Sequence, residues 1–552
     1  MGLFGRKKSN SKLLDGEDGA PSPNGKRSNS KRRSKKKSGK VSHDVSPSME
    51  SVPDYIDRLA NVTSEDTGGE VAASALRALF SLSEHANNQD NREKLVHAAE
   101  GQVVPTLLDF LHKSAPNSSE QYLALLVLNN VSIPADNKKF IAVDCGGAHI
   151  LSRLLCHDVS CHLMAIILVN LTFADAELRR ELVSPAAPTQ LVDALAYALI
   201  CATASPQVAE SLPQPVGPMA NAQPREMLVA TMQKSSSEQF ESFNFQDSTN
   251  VSQFPETARW CLCAIKNLTR PSKDPLAAHA IIDTGIVPLL LRIVTTDFQG
   301  NSNSDTSASL KASDPMQKKG DEGVTGNPPH TWEANSIQDA ALFSLLNLAT
   351  VQPARHYLRE VDAVHTLSMI ADCTGNNQGS GDTSGIEQFQ CLKARMAMAY
   401  LVGGEGHFGQ SKARASVPVS LDESVLLIMT SEAEQLEELL VNTLHQRAKE
   451  GPGGYSAATF TCKGVLFAIR CLLTHNLNQS TFCSTCGVKL NCLLMKALAQ
   501  HSISRVLTID AEAAAHAAFS LYLLSSYGFN SPFLTSAFYE DGLAEKVSAS
   551  YS

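Results

Sequence analysis

A short pattern of residues recurs along the chain and constrains its fold more than any other feature. An apolar segment ends in an Asn-containing triplet, a short polar segment follows, and a glycine turn leads into an aliphatic segment. The clearest copies lie at residues 124–155, 165–195, 260–294 and 341–370, with fainter ones starting near residues 75, 394, 464 and 515. Self-similarity at a spacing of about 40 residues is typical of stacked repeats, in which each unit buries its apolar face on the next.

The spacing of apolar residues inside each copy predicts helices. Residues i, i+3, i+4 and i+7 of a helix share a face, and Ala124, Leu125, Leu128 and Val131 form such a stripe. Only 6% of the residues are aromatic, which suits an aliphatic helical protein better than a β-sandwich. We therefore expect an all-α solenoid of about eight degenerate repeats over residues 51–552, a single elongated unit and not several domains.

Polar segments interrupt the repeats at several places. Residues 204–256 are rich in Pro, Gln and Ser, residues 298–331 in Asn, Ser, Asp and Gly, and residues 372–387 in Gly, Asn and Ser. Such compositions are typical of loops and linkers. We expect these three segments to be disordered inserts in the solenoid.

The Asn-containing triplets make the pattern resemble the armadillo repeat, a three-helix unit whose copies stack into a right-handed superhelix. The matching segments are NNVS at 129–132, NLT at 170–172 and 267–269, and NLAT at 347–350. A period of about 40–47 residues also fits HEAT repeats, the nearest alternative. The resemblance implies a right-handed α-solenoid that binds a protein partner, as an extended or helical segment, in its concave groove.

Four asparagines, Asn130, Asn170, Asn267 and Asn347, occupy equivalent positions in successive copies. The resemblance implies that the helix carrying them lines the groove. A carboxamide has both a donor and an acceptor, so a row of them can pair with the backbone of an extended ligand. The alternative is that these side chains satisfy carbonyl groups of neighbouring loops within the protein.

Import receptors that share this resemblance carry a Trp four residues before the Asn and use it to bind lysine side chains. The corresponding residues of this chain are Leu126, Ile166, Cys263 and Phe343. Trp260 lies seven residues before Asn267, on roughly the same helix face, and stands alone. We include Trp260 among the candidate groove residues, and an import-receptor-like adaptor for basic signal peptides remains the alternative function.

The net charge of −9 hides two opposite parts. Residues 1–40 hold 13 basic and 3 acidic side chains, a net charge of +10, whereas the remaining residues have a net charge of −19. The acidic body argues against nucleic-acid binding, and residues 1–50 have the composition of a disordered tail. The densest basic run comprises Lys26, Arg27, Lys31, Arg32, Arg33, Lys35, Lys36 and Lys37.

This basic run permits three interpretations. It resembles a nuclear localisation signal, which would make an importin a partner. The same charges attract anionic membrane surfaces, so a peripheral membrane organiser tethered by the tail is another alternative. The tail can also fold back on the acidic body.

The cysteines favour an intracellular protein, in the cytoplasm or the nucleus. There are 13 of them, an odd number, and most lie in apolar segments where a thiol packs as a small apolar group. Cys156, His157, Cys161 and His162 are grouped, but neighbouring helical residues point apart, so we expect no metal site. Phosphate-binding, metalloprotease and nucleophile-elbow motifs are absent from the sequence. We therefore expect a non-enzymatic scaffold without a cofactor.

Overall fold

The computed structural model describes residues 47–62, 69–84, 89–174, 176–184, 190–204, 212, 222–235, 254–270, 275–295, 329–372, 385–403, 426–449, 460–502 and 511–526. Within these ranges there are 22 α-helices and no strand. The contacts group the described residues from Ser48 onward into one compact unit. Residues 1–46, which hold most of the predicted tail of residues 1–50, lie outside the described ranges, as do most of the inserts at 298–331 and 372–387, whereas Met49–Ser51 form a short 3₁₀ helix before α1.

The helices follow one another in a recurring order of three, which we call the first, second and third helix of a unit. After α1 (Val52–Ala60), the first units are α2 (Glu70–Glu84), α3 (Gln89–His97) and α4 (Val103–Lys113), then α5 (Ser119–Val131), α6 (Ala135–Lys139) and α7 (Gly147–His157), then α8 (His162–Thr172), α9 (Ala176–Val183) and α10 (Leu191–Thr203). A single helix, α11 (Pro224–Ser235), precedes the next unit.

The order continues toward the C-terminus. The next units are α12 (Pro255–Leu268), α13 (Leu276–Asp283) and α14 (Val287–Thr295), then α15 (Pro329–Ala349), α16 (Gln352–Glu360) and α17 (Ala363–Asp372). The last helices are α18 (Gly385–Gly403), α19 (Thr430–Lys449), α20 (Cys462–Leu472), α21 (Asn476–Ser502) and α22 (Ala511–Ser526). In α21 the backbone leaves helical geometry at Cys486, so one element combines a second and a third helix.

The units stack through two layers of helices. The first helices contact one another in sequence, α2 with α5, α5 with α8, α8 with α12, and onward through α15, α18 and α20 to α22. Third helices form the other layer, as where α4 contacts α7 and α7 contacts α10. Fully buried aliphatic residues such as Leu125, Leu168 and Leu262 join the layers in one core. The predicted all-α solenoid is confirmed, because each unit buries its apolar faces on its neighbours.

The turn between the second and third helices requires a left-handed backbone conformation. Gly146 and Gly285 adopt φ of 67° and 70° there, and Asp362 adopts 57° in the corresponding turn before α17. Glycine reaches this region without strain, and Asp is among the residues that tolerate it. A Cβ on the neighbouring Gly147 would lie 2.5 Å from the carbonyl oxygen of Ile141, so this close approach also requires glycine.

The prediction that residues 204–256 form a disordered insert is wrong in part. Residues Pro224–Ser235 form α11, whose Met227, Leu228 and Thr231 are buried. This helix packs on α10 and α7, and Arg225 Nη1 forms an ion pair of 2.7 Å with Asp193 of α10. The polar composition of the whole segment concealed a short apolar stripe, which is long enough to cover the neighbouring third helices.

The helical region begins with α1, which lies within the predicted solenoid of residues 51–552 and buries Val52, Ile56 and Leu59. A Pro at its first turn favours helix initiation there, because that position needs no backbone donor. The insert boundaries also shift slightly, since α15 begins at Pro329 and α18 at Gly385.

Residues Asn476–Gln500 of α21 have the length and apolar composition of a membrane-crossing helix. In the stack this segment contacts α19 and α22, and Phe482, Leu490 and Leu494 are buried there. Asn478 is fully buried and accepts a hydrogen bond from Ile428 N (2.9 Å) while donating to the carbonyls of Leu426 and Leu472. These contacts make the segment part of the solenoid core.

A buried ion pair links α18 to its neighbours. Arg395 Nε donates to Glu432 Oε1 of α19 at 2.9 Å, and Arg395 Nη2 donates to the Ala371 carbonyl of α17 at 3.2 Å. The second oxygen of Glu432 accepts a hydrogen bond from Met429 N at 2.8 Å. Both side chains are almost completely buried, so each charge depends on the other for its stabilisation.

We expect Arg395→Met to lower the free energy of unfolding by about 3–5 kcal/mol, because it leaves the Glu432 carboxylate buried without its partner. The double variant Arg395→Met with Glu432→Leu should regain most of this loss, since no charge remains buried. Urea denaturation, monitored by circular dichroism, measures the free energy of unfolding of the single and the double variant. Equal destabilisation of the single and double variants would show that the ion pair is not the source of the effect.

Candidate functional site

The four predicted asparagines lie near the ends of successive first helices, and each donates a hydrogen bond to the preceding unit. These bonds join Asn130 Nδ2 to Ser83 Oγ (3.1 Å), Asn170 Nδ2 to Ser132 Oγ (3.0 Å), Asn267 Nδ2 to Val169 O (3.2 Å) and Thr172 Oγ1 (3.4 Å), and Asn347 Nδ2 to Lys266 O (3.3 Å) and Thr269 Oγ1 (3.3 Å). We call this row of bonds the asparagine ladder.

The asparagine ladder explains why a hydroxyl residue follows two positions after three of the asparagines. Thr172 follows Asn170 and accepts from Asn267, and Thr269 follows Asn267 and accepts from Asn347. Each unit therefore supplies the acceptor for the next one. Asn267 and Asn347 are 6% and 5% exposed, and their donors are engaged within the stack. Contact of the four side chains with a partner remains a prediction. Their amide N–H groups form the internal hydrogen bonds that the alternative interpretation expected.

A second set of polar side chains, on the second helices, caps the same helix ends. Their amide or guanidinium groups donate to carbonyls at the end of the first helix of their own unit or in the turn directly after it, as follows: Arg92 to Ser83 O (2.8 Å), Asn137 to Val131 O (2.9 Å), Arg179 to Ala174 O, and Asn478 to Leu472 O (3.0 Å). The last carbonyls of a helix have no partner within it. Sequence analysis missed these residues, although their recurrence after each polar turn is a usable signal.

An apolar surface runs across three neighbouring first helices beside the asparagine ladder. Its residues are half-buried and lie one, four or seven positions before the ladder asparagines: Leu123 and Leu126 of α5, Ile166 and Val169 of α8, and Trp260 and Cys263 of α12. Because α5 contacts α8 and α8 contacts α12, these residues form one continuous surface, which we call the open strip. Tyr122, which is 51% exposed, borders it.

Trp260 lies on the face that the sequence predicted. Its indole Nε1 donates to Glu256 Oε2 at 3.0 Å, and the guanidinium carbon of Arg259 lies 4.8 Å from its ring. Arg259 also pairs with Glu256 at 3.6 Å. The polar edge of the indole is thus satisfied within α12, as buried Trp N–H groups usually are.

The open strip does not continue onto α15. Phe343 occupies the position of Cys263 there but is only 3% exposed, because Phe460 lies over it with ring centres 5.1 Å apart. Lys393 of α18 also approaches Phe343 and pairs with Asp339. Burial lowers the pKa of Lys393, and the Asp339 carboxylate opposes that shift.

Two cations flank an aromatic ring where α8 ends. Lys138 Nζ donates to the carbonyl of Phe173 and lies 5.2 Å from its ring centre, and the guanidinium carbon of Arg270 lies 5.3 Å from it. Burial lowers the pKa of Lys138 to about 8. Positive groups are favourable at the carbonyl end of a helix, so this cluster stabilises α8.

The Cys and His residues around the end of α7 do not assemble a metal site. In the part of the chain that the structure describes, no three His, Cys, Asp or Glu side chains are arranged to hold a metal ion. Cys156 and Cys261 are buried free thiols, and burial raises the pKa of each. The predicted signal residues from Lys26 to Lys37 lie outside the described ranges.

Comparisons with known proteins found similarity only to solved structures. No family model and no curated protein sequence matches the chain. It is similar to a crystal structure of computationally designed armadillo repeat proteins for modular peptide recognition, with 14% identity, a TM-score of 0.37, and coverage of 63% of this chain and 99% of the other. It is also similar to a structure from work on a phosphorylation switch between cadherin and β-catenin, with 14% identity, a TM-score of 0.33, and 86% coverage of each chain.

The armadillo-type interpretation stands on this chain's own geometry: the recurring order of three helices, the left-handed turns, and the asparagine ladder.

We expect Asn267→Ala to lower the free energy of unfolding by about 1–3 kcal/mol, because it removes the buried hydrogen bonds that the Asn267 amide donates to Val169 O and Thr172 Oγ1 of the preceding unit. Asn267→Asp should cost more at pH 7, since a carboxylate would face the Val169 carbonyl oxygen. Burial raises the pKa of a carboxyl group, so part of this loss should be regained as the pH falls and the group becomes a donor. Thermal denaturation between pH 5 and 8 measures this.

Asn61→Ala is the matched control for the ladder variants, because the exposed Asn61 donates only to Asp57 O within its own helix region. Equal effects of Asn61→Ala and Asn267→Ala would contradict a structural role for the asparagine ladder.

Proposed function

We propose that this chain is a non-enzymatic scaffold that binds a segment of a protein partner along the open strip. The supporting observation is a continuous, half-buried apolar surface across α5, α8 and α12. Contiguous exposed apolar surfaces on proteins commonly mark binding sites. The packed helices behind the open strip hold its side chains in fixed positions. Binding of a partner therefore requires no further ordering of this surface.

The dimensions of the open strip suit a short segment. Neighbouring packed helices lie about 8–10 Å apart, so three of them span about 20 Å. An extended peptide of about six residues covers this distance, as does a helix of about 13 residues. Apolar side chains of the segment would lie against Leu126, Ile166 and Cys263, and its backbone would follow the row of first helices.

The alternative of an import-receptor-like adaptor receives less support. Lysine side chains in such a ligand would need aromatic rings and carboxylates along the surface. The open strip has one ring, Trp260, and the carboxylate beside it, Glu256, already accepts from Trp260 and pairs with Arg259. The cationic Lys266 also lies on α12, next to Asn267. An apolar segment therefore fits this surface better than a basic one.

We expect Ile166→Glu to weaken partner binding at least about tenfold, since it places a charge in the middle of the apolar contact. The ligand would be a peptide selected on the wild-type protein from a displayed random library, and fluorescence anisotropy would measure its affinity.

Met369→Glu is the matched control for this substitution. Met369 is 53% exposed on α17, away from the open strip, so the same introduced charge should change the affinity less than about twofold. If Ile166→Glu and Met369→Glu weaken the selected peptide equally, the open strip is not the binding surface.

We further propose that the basic tail determines where the protein is located, through an importin or an anionic membrane surface in an intracellular setting. The support is its net charge of +10 ahead of an acidic body. Exchanging Lys26, Arg27, Lys31, Arg32, Arg33, Lys35, Lys36 and Lys37 for Gln should abolish nuclear or membrane enrichment of a fluorescent fusion. An unchanged distribution in the cell would refute this role.

A further inference from the structure

A row of basic side chains lies on α7, in the layer of third helices and apart from the open strip. His149, Arg153 and His157 follow one another at intervals of four residues, which places them along one face of the helix. His112, near the end of α4, joins this row because α4 packs against α7. Burial lowers the pKa of His157, and the charges of Arg153 and His112 lower it further, as expected for neighbouring positive groups.

Two nitrogen atoms in this row are buried without a hydrogen-bond partner among the described residues. They are Arg153 Nε and His149 Nδ1. Within the same ranges, no carboxylate lies within ion-pair distance of Arg153. Buried polar atoms in native proteins almost always have a partner, so the unpaired Arg153 N–H is a donor that water or an acceptor from outside the protein would satisfy.

The carboxylates on the elements packed around α7 are engaged elsewhere or lie at the surface. Asp109 pairs with Lys113 at 2.6 Å, Asp193 pairs with Arg225 at 2.7 Å, and Glu226 accepts from Gln223 N at 2.9 Å.

The carboxylates nearest in sequence to α7 lie on either side of it. Asp158, which follows α7, accepts from Ser160 through Oδ1, whereas its Oδ2 is buried without a hydrogen-bond partner among the described residues. Asp144 is exposed, and His162, which is cationic when protonated, begins the next helix. Within the described ranges, none of these carboxylates forms an ion pair with the α7 row.

We propose that the surface between α4 and α7 is a binding site for a phosphate group, held by Arg153 together with His112 and His157. A guanidinium group presents a planar fork of donors that matches two oxygens of such an anion. A protonated imidazole donates from both nitrogens. The anion supplies the missing acceptor for Arg153 and neutralises the charges that oppose protonation of His157.

The site is sensitive to pH in a defined direction. An anion favours the protonated imidazoles, so binding raises the pKa of His157 above its value in the free protein. By linkage, affinity is highest below that pKa and falls as the pH rises through it. Sulfate is the suitable first probe, because its charge is constant between pH 5 and 8 whereas that of a phosphate monoester changes near pH 6.

Calorimetric titration of the full chain with sulfate, at constant ionic strength with chloride as the balancing ion, tests the site. We expect saturable binding at pH 5.5 that weakens at least about tenfold at pH 7.5, as the His157 imidazole loses its proton. Arg153→Gln should weaken binding at pH 5.5 at least about tenfold. Arg58→Gln, which removes the same charge from an exposed position on α1, should leave it unchanged.

Both variants retain the basic tail, which attracts anions in each of them. A difference in sulfate affinity between the two variants therefore reports on the proposed site and not on the tail. Equal sulfate affinity in Arg153→Gln and the wild type would overturn the proposal. If Arg153→Gln does not fold, Arg153→Lys keeps the charge but loses the planar fork, and should still bind measurably more weakly.

Two further ligands distinguish the source of the phosphate group. Inorganic phosphate tests a soluble source, and vesicles containing phosphatidic acid test a lipid headgroup. If Arg153→Gln binds either ligand more weakly than Arg58→Gln does, the proposed site is supported and that ligand identifies the source. If the two variants bind both ligands equally, the proposal is overturned. Failure of this test leaves the open strip unaffected, because Ile166→Glu acts on a different layer of helices.

Discussion

The stack depends on the hydrogen bonds that each unit donates to the end of the preceding first helix. The carbonyls at a helix end have fewer partners within the helix than those in its middle, and Val169 O accepts from Asn267 of the next unit in addition to Phe173 N and Thr172 Oγ1. Asn267 and Asn347 supply an amide from the following unit, while Arg92 and Asn137 supply donors from the same unit. These bonds set the register between units, which apolar contacts alone do not define, since hydrophobic burial has no direction.

This dependence explains how much of the fold the sequence could predict. The apolar stripes identify helices, and the glycine turns before α7 and α14 mark where a left-handed residue is needed. The recurrence of Asn at one position, followed by Ser or Thr, indicates that the units are equivalent. These are local signals repeated at a fixed distance, so the all-α solenoid could be inferred without knowing any contact between units.

The functional role of the same residues was harder to predict than the fold, because the role depends on what each side chain contacts. A carboxamide has the same chemistry whether it bonds to a ligand or to Thr172 of the preceding unit. Sequence spacing also could not show that Phe460 covers Phe343 and ends the open strip. Helix α11 was missed for a similar reason, since its few apolar residues are diluted by a polar insert.

The asparagine ladder and the basic row on α7 use polar groups in different ways, and this difference separates structure from function. Along the first helices, the donors of the asparagine ladder meet acceptors that the stack itself provides, which leaves the apolar open strip as the feature available to a partner. On α7 the situation is reversed, because Arg153 Nε is buried and the stack provides no acceptor for it. A folded protein can carry an unmatched buried donor only at a cost in stability. A ligand that supplies the acceptor offsets that cost, and for this reason the unmatched donor, and not the matched ladder, is the stronger indication of a site for a polar ligand.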